Sequence, residues 1–246
     1  MNKRTLLMGL WMMAVGAGSA FGQTVPLQVL MVVTSSPEIR PGEPTGLWLE
    51  EFAVPYLKFV EAGFDVTVAS PLGGKAPVDP RSLKDGQQVL DWARAAVELE
   101  QTVKLASLTE KRFDAVFLPG GHGTMFDFPD DAALKTLLDR TVADKGVVSA
   151  VCHGPAGLVA VVKPNGTPLV AGKTVTAFTN AEERAGQLDD DMPFLLESRL
   201  RELGAEFVEG PLWQSHIQVD GLLVTGQNPA SSGAAADAVV GLLRSR

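Results

Sequence analysis

The chain has 246 residues and a formal net charge of −8, with Asp+Glu 29 against Lys+Arg 21, and this broadly acidic balance argues against a nucleic-acid partner. Hydrophobic residues make up 46% and charged residues 20%, which is enough apolar material for one domain's core and too much for wholesale disorder. One cysteine excludes an internal disulfide framework and any cysteine-rich metal site, and three histidines leave little material for a histidine cluster.

Residues 1–22 read as a cleavable secretory signal peptide. Lys3 and Arg4 supply the positive start, Leu6–Val15 the apolar run, and the small residues of GAGSAFG the exit. The apolar run is shorter than the roughly 20 residues a membrane span needs. Cleavage is expected after Ala20 or Gly22, leaving 23–246 as the mature domain in a secreted or periplasmic location, with no stable membrane association. Leu27–Thr34 then reads as a buried parallel strand. Gly46–Ala62 is apolar at helical spacing, with Gly63 as its stop and a kink or break expected at Pro55. Phe64–Ser70, Phe113–Leu118 and Val147–Val151 read as strands, the last leading through CHGPAG into a helical stretch. Thr174–Phe178 is a further strand, Asp191–Leu203 a helix started by its aspartates, and Ala205–Val208 a strand. Gln218–Thr225 brackets a tight Asp220-Gly221 turn, and Ser231–Leu243 is an alanine-rich helix. This alternation implies an α/β three-layer sandwich, with a mostly parallel central sheet covered by helices on both faces. The stretches 71–112 and 179–204 exceed ordinary connections and are expected to wall a pocket.

In open parallel sheets, ligands bind beyond the carboxyl ends of the strands. Three groups of residues fall there. Ala150-Val151-Cys152-His153-Gly154 has the form small-x-nucleophile-x-glycine between a strand and a helix, the setting of a nucleophile elbow. A helix N-terminus behind Cys152 would favour thiolate and lower its pKa. Pro119-Gly120-Gly121-His122-Gly123 follows another strand, and its backbone N–H groups are candidates to hold an oxyanion. Glu50 and Glu51 sit among Trp48, Leu49 and Phe52, so one of them is expected to face inward and to hold its proton. Trp48, Trp92 and Trp213 read as core or pocket wall, and Ser231 or Ser232 as a cap of the last helix.

These motifs together resemble the ThiJ/PfpI superfamily, with its class I glutamine amidotransferase-like, flavodoxin-like fold. GLWLEEFAVPY, ASPLGGKAPVDPRS, FLPGGHGTMFDFPDD, AVCHGPAGL, FTNAEE, PFLLESRLRELGAEF and VDGLLVTGQNPASS look like its chaperone and glyoxalase III-like branch, over about residues 27–245. The resemblance implies Cys152 as nucleophile, His153 as its neighbour and Glu51 as the pocket glutamate. It implies Glu183 as the acid that orients the histidine, with Glu182 adjacent as the alternative. Gly120, Gly121 and His122 are the expected substrate or oxyanion contacts.

The implied activity is glyoxalase III-type: a 2-oxoaldehyde such as methylglyoxal becomes a 2-hydroxy acid through a cysteine hemithioacetal, with Glu51 or His153 moving the proton. It calls for no cofactor and no metal, and for a small-molecule partner; a homodimer is compatible with it. A redox-sensing holdase chaperone and a cysteine-dependent hydrolase or amidotransferase are the other readings. Against glutamine hydrolysis, the only later histidine is His216, with no acidic residue at short spacing after it.

Overall fold

The computed structural model describes residues 25–83, 86, 90, 92–163 and 165–246. The expected leader, 1–22, lies outside the described residues. Among them a seven-stranded sheet forms the middle layer, in the order β10-β11-β7-β6-β1-β4-β5. Its strands are β1 (Gln28–Val32), β4 (Asp65–Ser70), β5 (Val103–Lys104), β6 (Ala115–Leu118), β7 (Val147–Val151), β10 (Ile217–Asp220) and β11 (Leu223–Gly226). All neighbours run parallel except β10, which returns antiparallel on β11 through the Asp220-Gly221 turn, where Gly221 has φ +63°. A hairpin of β2 (Glu38–Arg40) and β3 (Glu43–Pro44) stands outside this sheet, and it has no counterpart among the expected elements.

The central strands are apolar at every position because both faces are covered. In β1, Leu30 and Val32 join a core with Leu134, Leu137 and Leu138 of α2 (Ala132–Ala143) and Leu196 and Leu200 of α4 (Leu196–Glu202). The alternate residues Val29 and Met31 pack on the other side, with Phe52 and Phe59 of α1 (Leu49–Glu61) and Ala236 and Val239 of α5 (Ser232–Arg244). This is the expected three-layer sandwich.

Several local expectations need correction. Helix α1 runs through Pro55 without a break. Proline removes a single ladder bond, and burial of Phe52 before it and Phe59 after it holds both halves in place. The strand expected at Thr174–Phe178 shrinks to β8 (Thr174–Val175), which pairs with β9 (Glu206–Phe207) in a separate two-stranded sheet. The helix expected from Asp191 starts only at Leu196, beyond Pro193, so the Asp189–Asp191 run is not a helix start; Asp191 instead pairs with Arg40 of β2. After Cys152 there is only a five-residue 3₁₀ turn, Gly154–Leu158, too short for the dipole expected behind the thiol.

Candidate active site

Strand register brings the two turns together. Leu118 of β6 lies opposite Ala150 of β7, so Pro119-Gly120-Gly121 and Cys152-His153 leave the sheet side by side. Cys152 sits at φ +60°, a sharp bend that turns its side chain back over the strand ends. Helix α1 docks on the same spot: the Trp48 N–H donates to the Gly120 carbonyl (3.1 Å), and the Gly120 N–H donates to Glu51 Oε2 (2.7 Å). Only glycine fits at 120, where a Cβ would lie 2.6 Å from the His153 nitrogen and 2.8 Å from Glu51 Oε2.

Cys152 Sγ lies 3.3 Å from His153 Nδ1, and His153 Nε2 lies 2.7 Å from Glu183 Oε2. Glu183 is on α3 (Asn180–Gly186), whose Thr179–Glu182 capping box fixes its first turn. The other carboxylate oxygen, Oε1, lies 3.0 Å from His122 Nε2. Behind His122, Arg81 Nη2 stands 3.3 Å from Nδ1, and Arg81 is gripped by the buried Asp79 through Nε (2.9 Å) and Nη2 (2.5 Å). A hydrogen-bonded series therefore runs Asp79, Arg81, His122, Glu183, His153, Cys152.

Glu182 takes no part in it. Its Oε1 accepts from the Trp213 N–H (2.9 Å), Gln227 Nε2 (3.1 Å) and Asn228 Nδ2 (2.8 Å), so the alternative between the two glutamates falls to Glu183 at the histidine. Gly120, expected at an oxyanion, instead gives its N–H to Glu51. The Gly121 N–H is directed at the Cys152 sulfur, and His122 holds Glu183 while its ring lines the cavity. His216 lies apart, bonded to Gln218.

Burial dominates the electrostatics. It pushes the Glu51 carboxyl up to about 8 against the opposing hydrogen bonds of Cys152 and Gly120, so Glu51 is a neutral acid at pH 7. Its buried Oε1 has no hydrogen-bond partner among the described residues. Burial, and then the Glu51 carboxyl, also hold the Cys152 thiol well above its ordinary value, which corrects the expected depression. Burial would raise Glu183 too, but the attraction of His153 and the hydrogen bonds from both imidazoles hold it well below the usual carboxylate range. Burial, followed by repulsion from His153, pushes His122 down to about 4.

The thiol opens into a cavity of about 360 Å³, walled by Trp48, Phe178, Leu188 and Trp213, with Arg81 and His122 on its polar side. Arg81 comes from 71–112, and Glu183 and Leu188 from 179–204, so both long stretches wall the pocket as expected. Trp92 does not line it; it packs against the core beside α1. A groove of about 620 Å³ between Phe126 and Arg199 holds neither cysteine nor histidine. His122, His153 and Glu183 could present three donor atoms to one ion, yet these atoms are already engaged in hydrogen bonds with one another.

The model of the DJ-1/PfpI family matches residues 46–241, the segment that carries the cavity and the whole hydrogen-bonded series. The chain belongs to the DJ-1/PfpI family. Among its relatives in this family, the glutathione-independent glyoxalase hsp3101 of Schizosaccharomyces pombe is 35% identical over 237 residues, covering 87% of this chain and 94% of that protein. Rapid Encystment Protein 24 KDa of Francisella tularensis superposes with a TM-score of 0.83 at 35% identity, covering 88% of this chain and 99% of that one. The crystal structure of glyoxalase III from Candida albicans superposes with a TM-score of 0.80 at 29% identity, covering 88% and 97%.

Two members of the series, Asp79 and Arg81, lie in ASPLGGKAPVDPRS, one of the strings that resemble the glyoxalase III-like branch, but the sequence assigned neither of them a role. The VDPRS segment looks like a surface turn, and its one signal is that opposite charges flank a proline inside an overlong connection.

Proposed function

We propose that this DJ-1/PfpI protein is a glutathione-independent glyoxalase that converts 2-oxoaldehydes to 2-hydroxy acids. The observation that carries the reading is the pairing, at one buried cysteine, of a histidine base and a neutral carboxylic acid. The relatives named glyoxalases, at full-domain coverage, support it.

His153 takes the thiol proton at Nδ1 as Cys152 Sγ bonds to the aldehyde carbon, and Glu183 stabilises the imidazolium. Glu51 gives its proton to the aldehyde oxygen, forming the hemithioacetal, and becomes a carboxylate beside the former aldehyde carbon. It then removes the hydrogen from that carbon while His153 protonates the neighbouring ketone oxygen, giving an enediol. Glu51 returns the hydrogen to the second carbon, and the first hydroxyl passes its proton to His153 as a thioester forms. Water hydrolyses the thioester, releasing the 2-hydroxy acid and the free thiol. The aldehyde carbon is oxidised and the ketone carbon reduced, so no external electron acceptor enters. The cysteine supplies the covalent handle that glutathione would otherwise provide.

The test is to incubate purified protein with methylglyoxal, without glutathione, and follow lactate by NMR. Lactate from the wild type and none from Cys152→Ala supports the reading. Equal lactate from a folded Cys152→Ala protein overturns it. The N-terminal segment 1–22 supports export of the protein by its charge and apolar pattern, and with it a secreted or periplasmic site of action.

A further inference from the structure

We infer that Arg81, braced by Asp79, is a positioning residue that holds His122 in one tautomer and thereby reserves Glu183 for His153. The inference rests on the reading of Cys152, His153 and Glu183 as the reacting system.

A neutral imidazole carries one proton, and its partners decide which nitrogen holds it. A guanidinium can only donate. With Arg81 Nη2 at 3.3 Å, His122 Nδ1 must be the acceptor, so the proton sits on Nε2 and is donated to Glu183 Oε1 at 3.0 Å. Glu183 then receives one N–H on each oxygen, the other from His153 Nε2 at 2.7 Å. Two donors from different directions stop the carboxylate from rotating. The His153 proton is thereby fixed on Nε2, and its Nδ1 lone pair is left facing the Cys152 sulfur at 3.3 Å.

Charge acts in the same direction. Arg81 occupies the side of His122 where a second proton would have to go, so His122 stays neutral. A cationic His122 would compete with His153 for the negative charge of Glu183. The charged and titratable groups around His122 are Arg81 from the turn Pro80–Leu83, His153 after β7 and Glu183 on α3; the ring of Phe178 closes the remaining side.

The guanidinium is itself held in place. Asp79 is fully buried and accepts from Arg81 Nε (2.9 Å), the Arg81 backbone N–H (2.8 Å) and Thr45 Oγ1 (2.8 Å). The long connection 71–112 thus carries a part of the site that the catalytic strands lack.

A purely structural ion pair would tie down a loop and leave the histidines indifferent. The experiment separates the two cases with the double variant Asp79→Asn/Arg81→Met, which leaves no lone buried charge, and with Arg81→Lys, which keeps a donor. The ¹⁵N-labelled imidazoles are observed by NMR, assigned with His216→Gln and His122→Gln, and kcat and KM for methylglyoxal are measured alongside. Wild-type protein should show His122 as the Nε2–H tautomer alone. The double variant should show a mixture of tautomers and lose about 10–100-fold in kcat with KM nearly unchanged, and Arg81→Lys should recover much of the loss. An Nδ1–H tautomer at His122 in the wild type overturns the inference. So does a folded double variant with wild-type kcat. Should the double variant fail to fold, the wild-type tautomer and the Arg81→Lys kinetics still decide. Should no 2-oxoaldehyde be turned over, the glyoxalase reading fails instead, and the tautomer together with the rate of Cys152 alkylation in each variant tests the positioning role.

Discussion

At the scale of single residues, Glu51 is the side chain on which chemistry and stability pull in opposite directions. Its folded pKa of about 8 lies above the 4.5 of an ordinary glutamate, so the folded state binds more protons than the unfolded chain between those values. Stability therefore falls as pH rises through that window and levels off above it. Glu51→Gln should raise the melting temperature at pH 8, by about 1–3 kcal/mol in stability terms, while lowering the turnover of 2-oxoaldehydes by about 100-fold or more. Calorimetry and lactate assays on the same samples check both halves. In the wild type, kcat/KM should decline as pH rises above about 8, because the acid that protonates the aldehyde oxygen is lost. The thiol follows the same logic. Iodoacetamide alkylation of Cys152 should have its midpoint above the ~8.5 of a free cysteine, and Glu51→Gln should move it down by removing the neighbouring carboxyl charge. A midpoint below the free value would mean that the proton of the pair sits on Glu51 with the thiol already ionised.

At the scale of elements, the two turns that carry Gly120–His122 and Cys152–His153 meet because β6 and β7 end in register. Neighbouring glutamates on α3 divide two tasks between them. Glu183 faces the histidines, while Glu182 hangs the Trp213 segment and the Asn228 turn on the same helix. Glu182→Ala strands several buried donors at once and should cost about 3 kcal/mol. It should also free Trp213, whose ring lies 5.7 Å from Phe178, and shift its fluorescence toward that of a solvated indole. Unchanged fluorescence would show that the segment is held by other contacts. The PGGHG turn was readable as a backbone-rich loop, but the direction of each N–H was not. Gly120 turned out to serve Glu51 because α1 docks against it, and no local pattern states where a distant helix will land.

At the scale of the whole molecule, the sheet buries both faces and the catalytic groups collect at one of its ends, as the topology of a parallel sheet requires. No helix among the described residues is long and apolar enough to cross a membrane. Export is proposed on the leader alone. N-terminal sequencing of protein recovered from its native host should begin at Phe21 or Gln23, and an intact Met1 would overturn the proposal.

What the sequence by itself determined was everything local or periodic. The unbroken apolar runs of β1, β6 and β7 marked strands covered on both faces. The small residues around Cys152 marked a sharp turn, realised at φ +60°. The family motifs ranked Glu51, His153 and Glu183 among the reacting groups. What only the tertiary structure decided was partnership. Adjacent residues such as Glu182 and Glu183 project about 100° apart around a helix, and which of them meets a histidine depends on where α3 is held relative to the turn after β7. The Asp79–Arg81 pair lies in a string that carries the family resemblance, but its role is not legible there, because it comes from contacts with His122, 41 positions away from Arg81. The raised thiol has the same cause: burial against Glu51, from a helix about a hundred residues earlier, outweighs the local elbow, since desolvation depends on the whole surrounding fold.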